Sequence, residues 1–189
     1  MSTYLAPTMQ ALVLAAPHGA LIPTWLPRPQ PDAGQVLVRI HASGVNPLDT
    51  NIRAGAAEHA QQPLPTVLGM DLAGVVEEVG QGVSRFKVGD AVYGFTGGIG
   101  GLQGSLAQYA AVDARLLAHK PGRLTMRQAA ALPLVFITAW EGLVDRANVR
   151  SGHKVLVHGG AGGVGHVAVQ LARARGAEVF ATGTAAQAG

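Results

Sequence analysis

One stretch, Lys154 to Gly183, constrains what this chain can fold into more than any other. It opens with a short apolar run, Val155-Leu156-Val157, suited to a buried parallel strand. Glycines come at once in the spacing Gly160-x-Gly162-x-x-Gly165, and Val164, Val167, Ala168, Leu171 and Ala172 then recur at helical spacing. Gly176 stands where a helix stops, and Glu178–Thr182 reads as a second strand. Strand, glycine turn and helix within about 30 residues form the βαβ unit that seats a dinucleotide pyrophosphate. Glycines let the backbone approach the phosphates, and the unpaired N–H groups of the helix present partial positive charge to them. Gly160, Ala161, Gly162, Gly163, Val164 and Gly165 are therefore the expected cofactor contacts. A tight turn with no ligand is the plainer alternative, and the strand before and helix after weigh against it.

The residues just past the second strand bear on which dinucleotide binds. An NAD-binding unit places Asp or Glu about twenty residues past the motif, on the ribose hydroxyls. Here those positions are Thr182, Gly183 and Thr184, none acidic. A carboxylate there repels the 2′-phosphate of NADP, so its absence leans towards NADPH. No Arg or Lys comes after them to clamp that phosphate, and the lean is accordingly modest.

Charged residues are 13% of the 189 and apolar residues 48%, with 26 glycines, which describes a compact, loop-rich globular chain rather than a disordered one. Basic residues are scattered. Arg173 and Arg175 come nearest to a cluster, on what reads as the solvated face of the motif helix, so no nucleic-acid partner is expected. Cysteine is absent, which excludes disulfides and thiolate metal sites. The apolar run Ala11–Ala16 is short, lacks preceding basic residues and meets Pro17, so it reads as a strand rather than a signal peptide or membrane span. No membrane partner is expected, and the expected location is cytoplasmic.

Residues 1–8 read as a loose extension and Met9–Leu14 as the first strand, before a proline-rich connection through Pro23, Pro27, Pro29 and Pro31. Further strands are expected over Gln35–His41, Leu68–Val79 and Ala91–Phe95, with Leu106–Leu117 as a last extended stretch. Asn46-Pro47 favours a turn, residues 52–66 a polar loop, and Gly94–Gly104 a mobile loop with little side-chain packing. Pro121-Gly122 marks a boundary; beyond it Thr125 is placed to cap a short helix to Leu132, and a second helix runs from about Leu134 to Ala147. The expected domains are thus a barrel-like β domain over 9–121 and the start of a nucleotide domain over 122–189.

Four spaced motifs, Val45–Thr50, Gly69–Gly80, Val88–Gly94 and Val157–Gly165, closely resemble the zinc-independent quinone oxidoreductase (zeta-crystallin-like) branch of the medium-chain dehydrogenase/reductase superfamily. The resemblance implies an α/β chain with a GroES-like β-barrel catalytic domain and, after it, a Rossmann domain. It also implies NADPH-dependent hydride transfer to a quinone or α,β-unsaturated carbonyl, commonly in a homodimer. Zinc-dependent relatives place Cys near Asn46 and His beside Glu where this chain has Met70-Asp71, and neither Asn46 nor Met70 is a plausible zinc ligand, so no metal is expected.

By the same resemblance Asn46 borders substrate and nicotinamide, as a neutral amide able to donate to a developing oxyanion; an Asn-Pro turn is the plainer reading. Asp49 orients Asn46 or nearby backbone, or simply caps a loop. Thr138 lines the nicotinamide carboxamide, or is a helix threonine bonded to its own backbone. Tyr93, Tyr109, His158 and Trp140 read as packing or strand-end residues. A complete domain of this kind has about six parallel strands, whereas two are written here, so a piece of a longer enzyme with weak cofactor binding by itself is expected. An NADPH-dependent enoyl-thioester reductase, or a non-catalytic binding and assembly module, stands as the alternative.

Overall fold

A computed structural model of the chain describes residues 7–187. Residues 1–6 of the expected extension lie outside the described residues, and Thr8 already belongs to the first strand. The chain divides after Pro133 into two compact units. No helix among the described residues is long and apolar enough to cross a membrane.

The first unit holds strands β1 (Thr8–Leu14), β2 (Leu21–Pro27), β3 (Gln35–Gly44), β4 (Thr66–Val67), β5 (Asp71–Val79), β6 (Ala91–Phe95), β7 (Tyr109–Asp113) and β8 (Leu117–His119), with helices α1 (Pro47–Arg53) and α2 (Met126–Ala130). They form one sheet in the order β2-β1-β4 and another in the order β7-β3-β5-β6-β8. All pairings in both are antiparallel. Alternation along the central strands sends Val36, Val38, Leu72, Val76, Val92 and Val112 into one apolar core. Two register shifts, at Leu37/Val38 and Ile40/Ala42, bend β3 against β5. Gly74 permits this crossing, since a Cβ there would lie 2.2 Å from the Arg39 carbonyl oxygen. Helix α2 is capped as expected: the Gln128 N–H donates to Thr125 Oγ1 at 3.2 Å, and the Thr125 N–H donates to the Gln128 side chain at 2.9 Å. It lays Ala129 and Ala130 on Ala73 of β5.

Helix α3 begins at Pro133 and runs in the second unit to Trp140, ahead of strand β9 (Lys154–Val157), helix α4 (Gly163–Ala174) and strand β10 (Glu178–Ala181). Strands β9 and β10 pair in parallel with Leu156 opposite Phe180. Helix α4 buries Val167, Ala168 and Ala172. Gly176 takes φ +83° just past its end, a conformation that favours glycine. This is the βαβ unit read from the glycine spacing.

Elsewhere the structure departs from expectation. The proline-rich connection is partly a strand: β2 carries Pro23 and Pro27 at the edge of its sheet, where a missing N–H removes no ladder bond. The Asn46-Pro47 turn opens helix α1, and Glu58–Ala60 forms a short 3-10 turn inside the expected loop. The stretch Leu106–Leu117 is β7, a 3-10 turn over Ala114–Leu116 and the start of β8 rather than one extended segment. The expected second helix changes pitch, with α3 passing into a π-helical segment over Glu141–Arg146. The glycine-rich loop is held through backbone groups: Gln62 accepts from the Gly101 N–H at 2.9 Å, and the Gly100 N–H donates to the Ala60 carbonyl at 2.8 Å.

Leu72 is fully buried in the sheet core. Replacing it with Ala is expected to lower the unfolding free energy of this unit by about 2–5 kcal/mol, read from the urea midpoint.

Candidate active site

In the first unit Asn46 sits between the end of β3 and the first turn of α1, with φ −118° and ψ 156°, the extended geometry of a helix N-cap. Pro47 comes next at the first helical position, where a missing N–H costs nothing. Asp49, at the third, turns its carboxylate back: Oδ2 accepts from the Asn46 N–H at 2.8 Å and Oδ1 from the Gly69 N–H at 3.0 Å. Gly69 aims that N–H from φ +99°, and a Cβ there would lie 2.4 Å from Ser105 Oγ, so both conformation and space require glycine.

The Asn46 amide itself is engaged. Its Nδ2 donates to Asp71 Oδ2 at 3.1 Å, and Asn46, Asp49 and Asp71 are 6%, 4% and 1% exposed. Ser105 Oγ donates to the Asp71 backbone carbonyl at 2.8 Å and lies 2.5 Å from Ser43 Oγ. Asn46 and Asp49 thus come together as expected. Asp71 joins them as a residue that sequence reasoning passed over as a site residue. The signal was present: a carboxylate within the apolar run Leu68–Val79 is rarely buried unless partnered. Burial pushes the Asp49 carboxyl above its ordinary value, and the N–H donors of Asn46 and Gly69 offset part of that rise. Among the described residues no three His, Cys, Asp or Glu side chains gather as a metal site.

In the second unit the glycines do separate tasks. Gly165 brings α4 against the preceding turn, since a Cβ there would lie 2.0 Å from the Gly159 carbonyl oxygen. Gly160 abuts β10, where a Cβ would lie 2.6 Å from Ala181 Cβ. Gly162 is the N-cap of α4, and Ala161, Gly163 and Val164 are exposed beside it. Gly160, Ala161, Thr182, Gly183 and Thr184 line one groove of about 300 Å³ together with Val169 and Ala181. Thr182 Oγ1 accepts from the Gly159 N–H at 3.1 Å, while the Gly160 N–H donates to the Thr182 carbonyl at 2.8 Å, so this threonine stitches the glycine turn to the end of β10. His158 Nδ1 lies 3.4 Å from the same hydroxyl. Thr138 is exposed on α3 and donates from Oγ1 to the Leu134 carbonyl at 2.8 Å, which leaves its oxygen lone pairs available as acceptors. A groove beside an N-terminus with free backbone N–H groups fits a pyrophosphate-bearing dinucleotide.

Residues 32–122 match the model of the alcohol dehydrogenase GroES-like domain. An alcohol dehydrogenase superfamily protein from Novosphingobium aromaticivorans, known from its crystal structure, is 66% identical with a TM-score of 0.94, covering 95% of this chain and 54% of that one. Residues 32–122 thus carry an alcohol dehydrogenase GroES-like domain, and the chain is similar to an alcohol dehydrogenase superfamily protein over nearly its whole length. Among the curated proteins that it resembles, the 2-methylene-furan-3-one reductase of Solanum lycopersicum is 48% identical over 143 residues, 74% of this chain and 37% of that protein. The quinone oxidoreductase of Rattus norvegicus is 43% identical over 155 residues, 82% of this chain and 45% of that protein. The chain therefore spans less than half the length of these two curated relatives.

Two outcomes are expected from this geometry. Because Asp49 binds its proton more readily folded than unfolded, wild-type stability falls as pH rises from about 3.9 through the raised value. Asp49→Asn lacks that component, so urea midpoints measured between about pH 4 and pH 7 should move against the wild type relative to the variant as pH rises. Parallel curves would contradict the assignment. Gly69→Ala is expected to cost about 1–3 kcal/mol, measured by thermal melting.

Proposed function

We propose that this chain provides the substrate-bordering and pyrophosphate-binding parts of an NADPH-dependent, zinc-independent reductase that delivers a hydride to a quinone or an α,β-unsaturated carbonyl. The observation that carries this reading is the clustering of Asn46, Asp49 and Asp71, which buries a hydrogen-bonded amide beside two carboxylates, near the position where, by the resemblance, zinc-dependent relatives place a cysteine. The names of the relatives, a quinone oxidoreductase and a furanone reductase, support the acceptor class.

When bound, NADPH supplies the hydride from its nicotinamide ring. The chain's own residues bind and orient. Backbone N–H groups of Gly163 and Val164 at the head of α4 would hold the pyrophosphate. Thr182, Gly183 and Thr184 leave the ribose side of the groove without a carboxylate, which admits a 2′-phosphate. Thr138 offers its hydroxyl oxygen to the carboxamide. Asn46 commits one Nδ2 proton to Asp71, and its second Nδ2 proton would be the donor to an acceptor oxygen that gains charge. Water delivers the second proton. A catalytic domain over 9–121, a cofactor domain from 122, a cytoplasmic location and a homodimer complete the reading.

Calorimetric titration with NADPH and with NADH tests the cofactor assignment. NADPH is expected to bind at least about tenfold tighter, about 1.4 kcal/mol. Equal or tighter binding of NADH overturns the reading of Thr182–Thr184. Steady-state assay of Asn46→Ala with a quinone is expected to show a loss in kcat of about 100-fold.

A further inference from the structure

We propose that Asp71 is the positioning residue for Asn46: its buried carboxylate selects which end of the Asn46 amide faces the substrate. The proposal rests on the reading that Asn46 borders the reacting atoms. Asp71 opens β5 inside the five-stranded sheet, paired with Gly44 of β3 on one side and Phe95 of β6 on the other. The residue is 1% exposed, so bulk solvent does not reach its carboxylate. It lies over Gly44, two residues before Asn46. A Cβ on Gly44 would stand 2.9 Å from Asp71 Cβ and 3.3 Å from Oδ2, and 2.3 Å from the Ala130 carbonyl oxygen. Glycine at that position therefore opens the space through which the carboxylate reaches forward to the amide. The main chain of Asp71 is held from the opposite flank, where Ser105 Oγ donates to its carbonyl at 2.8 Å.

An asparagine side chain presents a donor end and an acceptor end of nearly equal shape, and a flip interchanges them. An ionised carboxylate only accepts. At 3.1 Å from Asp71 Oδ2 the nitrogen end is the one that fits, and the flipped amide would set its oxygen against the carboxylate oxygen. The backbone of Asn46 is fixed independently by Asp49, which accepts from the Asn46 N–H at 2.8 Å. The two carboxylates thus divide the work: Asp49 sets where Asn46 stands, and Asp71 sets which atoms it presents. What remains for a substrate is the second Nδ2 proton.

The test is a double-mutant cycle on the enzyme that carries this chain, with Asn46→Ala, Asp71→Asn and the pair, assayed with NADPH and a quinone. Asp71→Asn replaces an acceptor-only group by one that accommodates either amide orientation. It is expected to lower kcat about tenfold while the KM for NADPH stays within about twofold, and to change kcat less than about twofold when Asn46 is already Ala. An equal loss with and without Asn46 shows a general structural role and overturns the proposal, as does an Asp71→Asn enzyme with wild-type kcat. Asn46→Ala with unchanged kcat is a separate failure, that of the functional reading of Asn46. A second measurement needs no variant. In the isotope-labelled unmodified chain, a through-hydrogen-bond coupling between Asn46 Nδ2 and the Asp71 carboxylate carbon is expected. Its absence from an assigned spectrum overturns the proposal even if Asp71→Asn fails to fold.

Discussion

Two carboxylates buried beside one amide are the constraint on which the rest of the first unit depends. Removing an ion from water costs several kcal/mol even after relaxation, and only well-aligned donors offset that cost. Asp49 meets it with the N–H groups of Asn46 and Gly69, and Asp71 takes the Asn46 side chain. Each donor in turn demands something of the fold. Gly69 must hold φ +99° and carry no Cβ, β3 must end so that Asn46 leaves it extended, and Gly44 must leave room for the Asp71 side chain. The sheet order that places β5 between β3 and β6 is what brings Asp71 to the place where β3 ends. A site residue and its supports are therefore one hydrogen-bonded piece.

The second unit meets a different demand by different means. Here the glycines act by what they omit. Gly165 lets α4 lie on the turn before it, Gly160 lets that turn lie on β10, and the head of the helix is left with exposed N–H groups. Thr182 then closes the turn with its hydroxyl and carbonyl. Such a helix head would meet an anion with backbone groups, which suits a pyrophosphate common to many dinucleotides and leaves selectivity to the residues after β10.

How much of this the sequence showed depends on whether the deciding interaction is local. The βαβ unit was legible because strand run, glycine spacing and helical period all lie within about 30 residues. The cap of α2 by Thr125 was legible for the same reason, and Gln128 completes it. Asn46-Pro47-Leu48-Asp49 reads at first as a turn, although its letters spell an N-cap, a proline at the first helical position and an acid at the third. The prolines of β2 hid an edge strand, because which side of a strand stays unpaired is set by the neighbouring strand. The π-helical segment has one trace in the chain, an Arg146–Glu141 pair five residues apart, with Arg146 Nε 3.0 Å from Glu141 Oε1. Asp71 is the instructive case: its burial was written in its apolar neighbours, whereas its partner lies 25 residues earlier and became visible only when β3 and β5 were paired.

The central claim is direct hydride delivery by NADPH to an acceptor held beside Asn46, with no metal in the step. The measurement that bears on it most directly is isotope transfer from NADPH deuterated at the transferred nicotinamide position to an enone, with a strong chelator present and the product read by mass spectrometry. The account predicts product formed at an unchanged rate with the deuterium on the β-carbon. Product that lacks deuterium, or turnover that stops when the chelator is added, would contradict it.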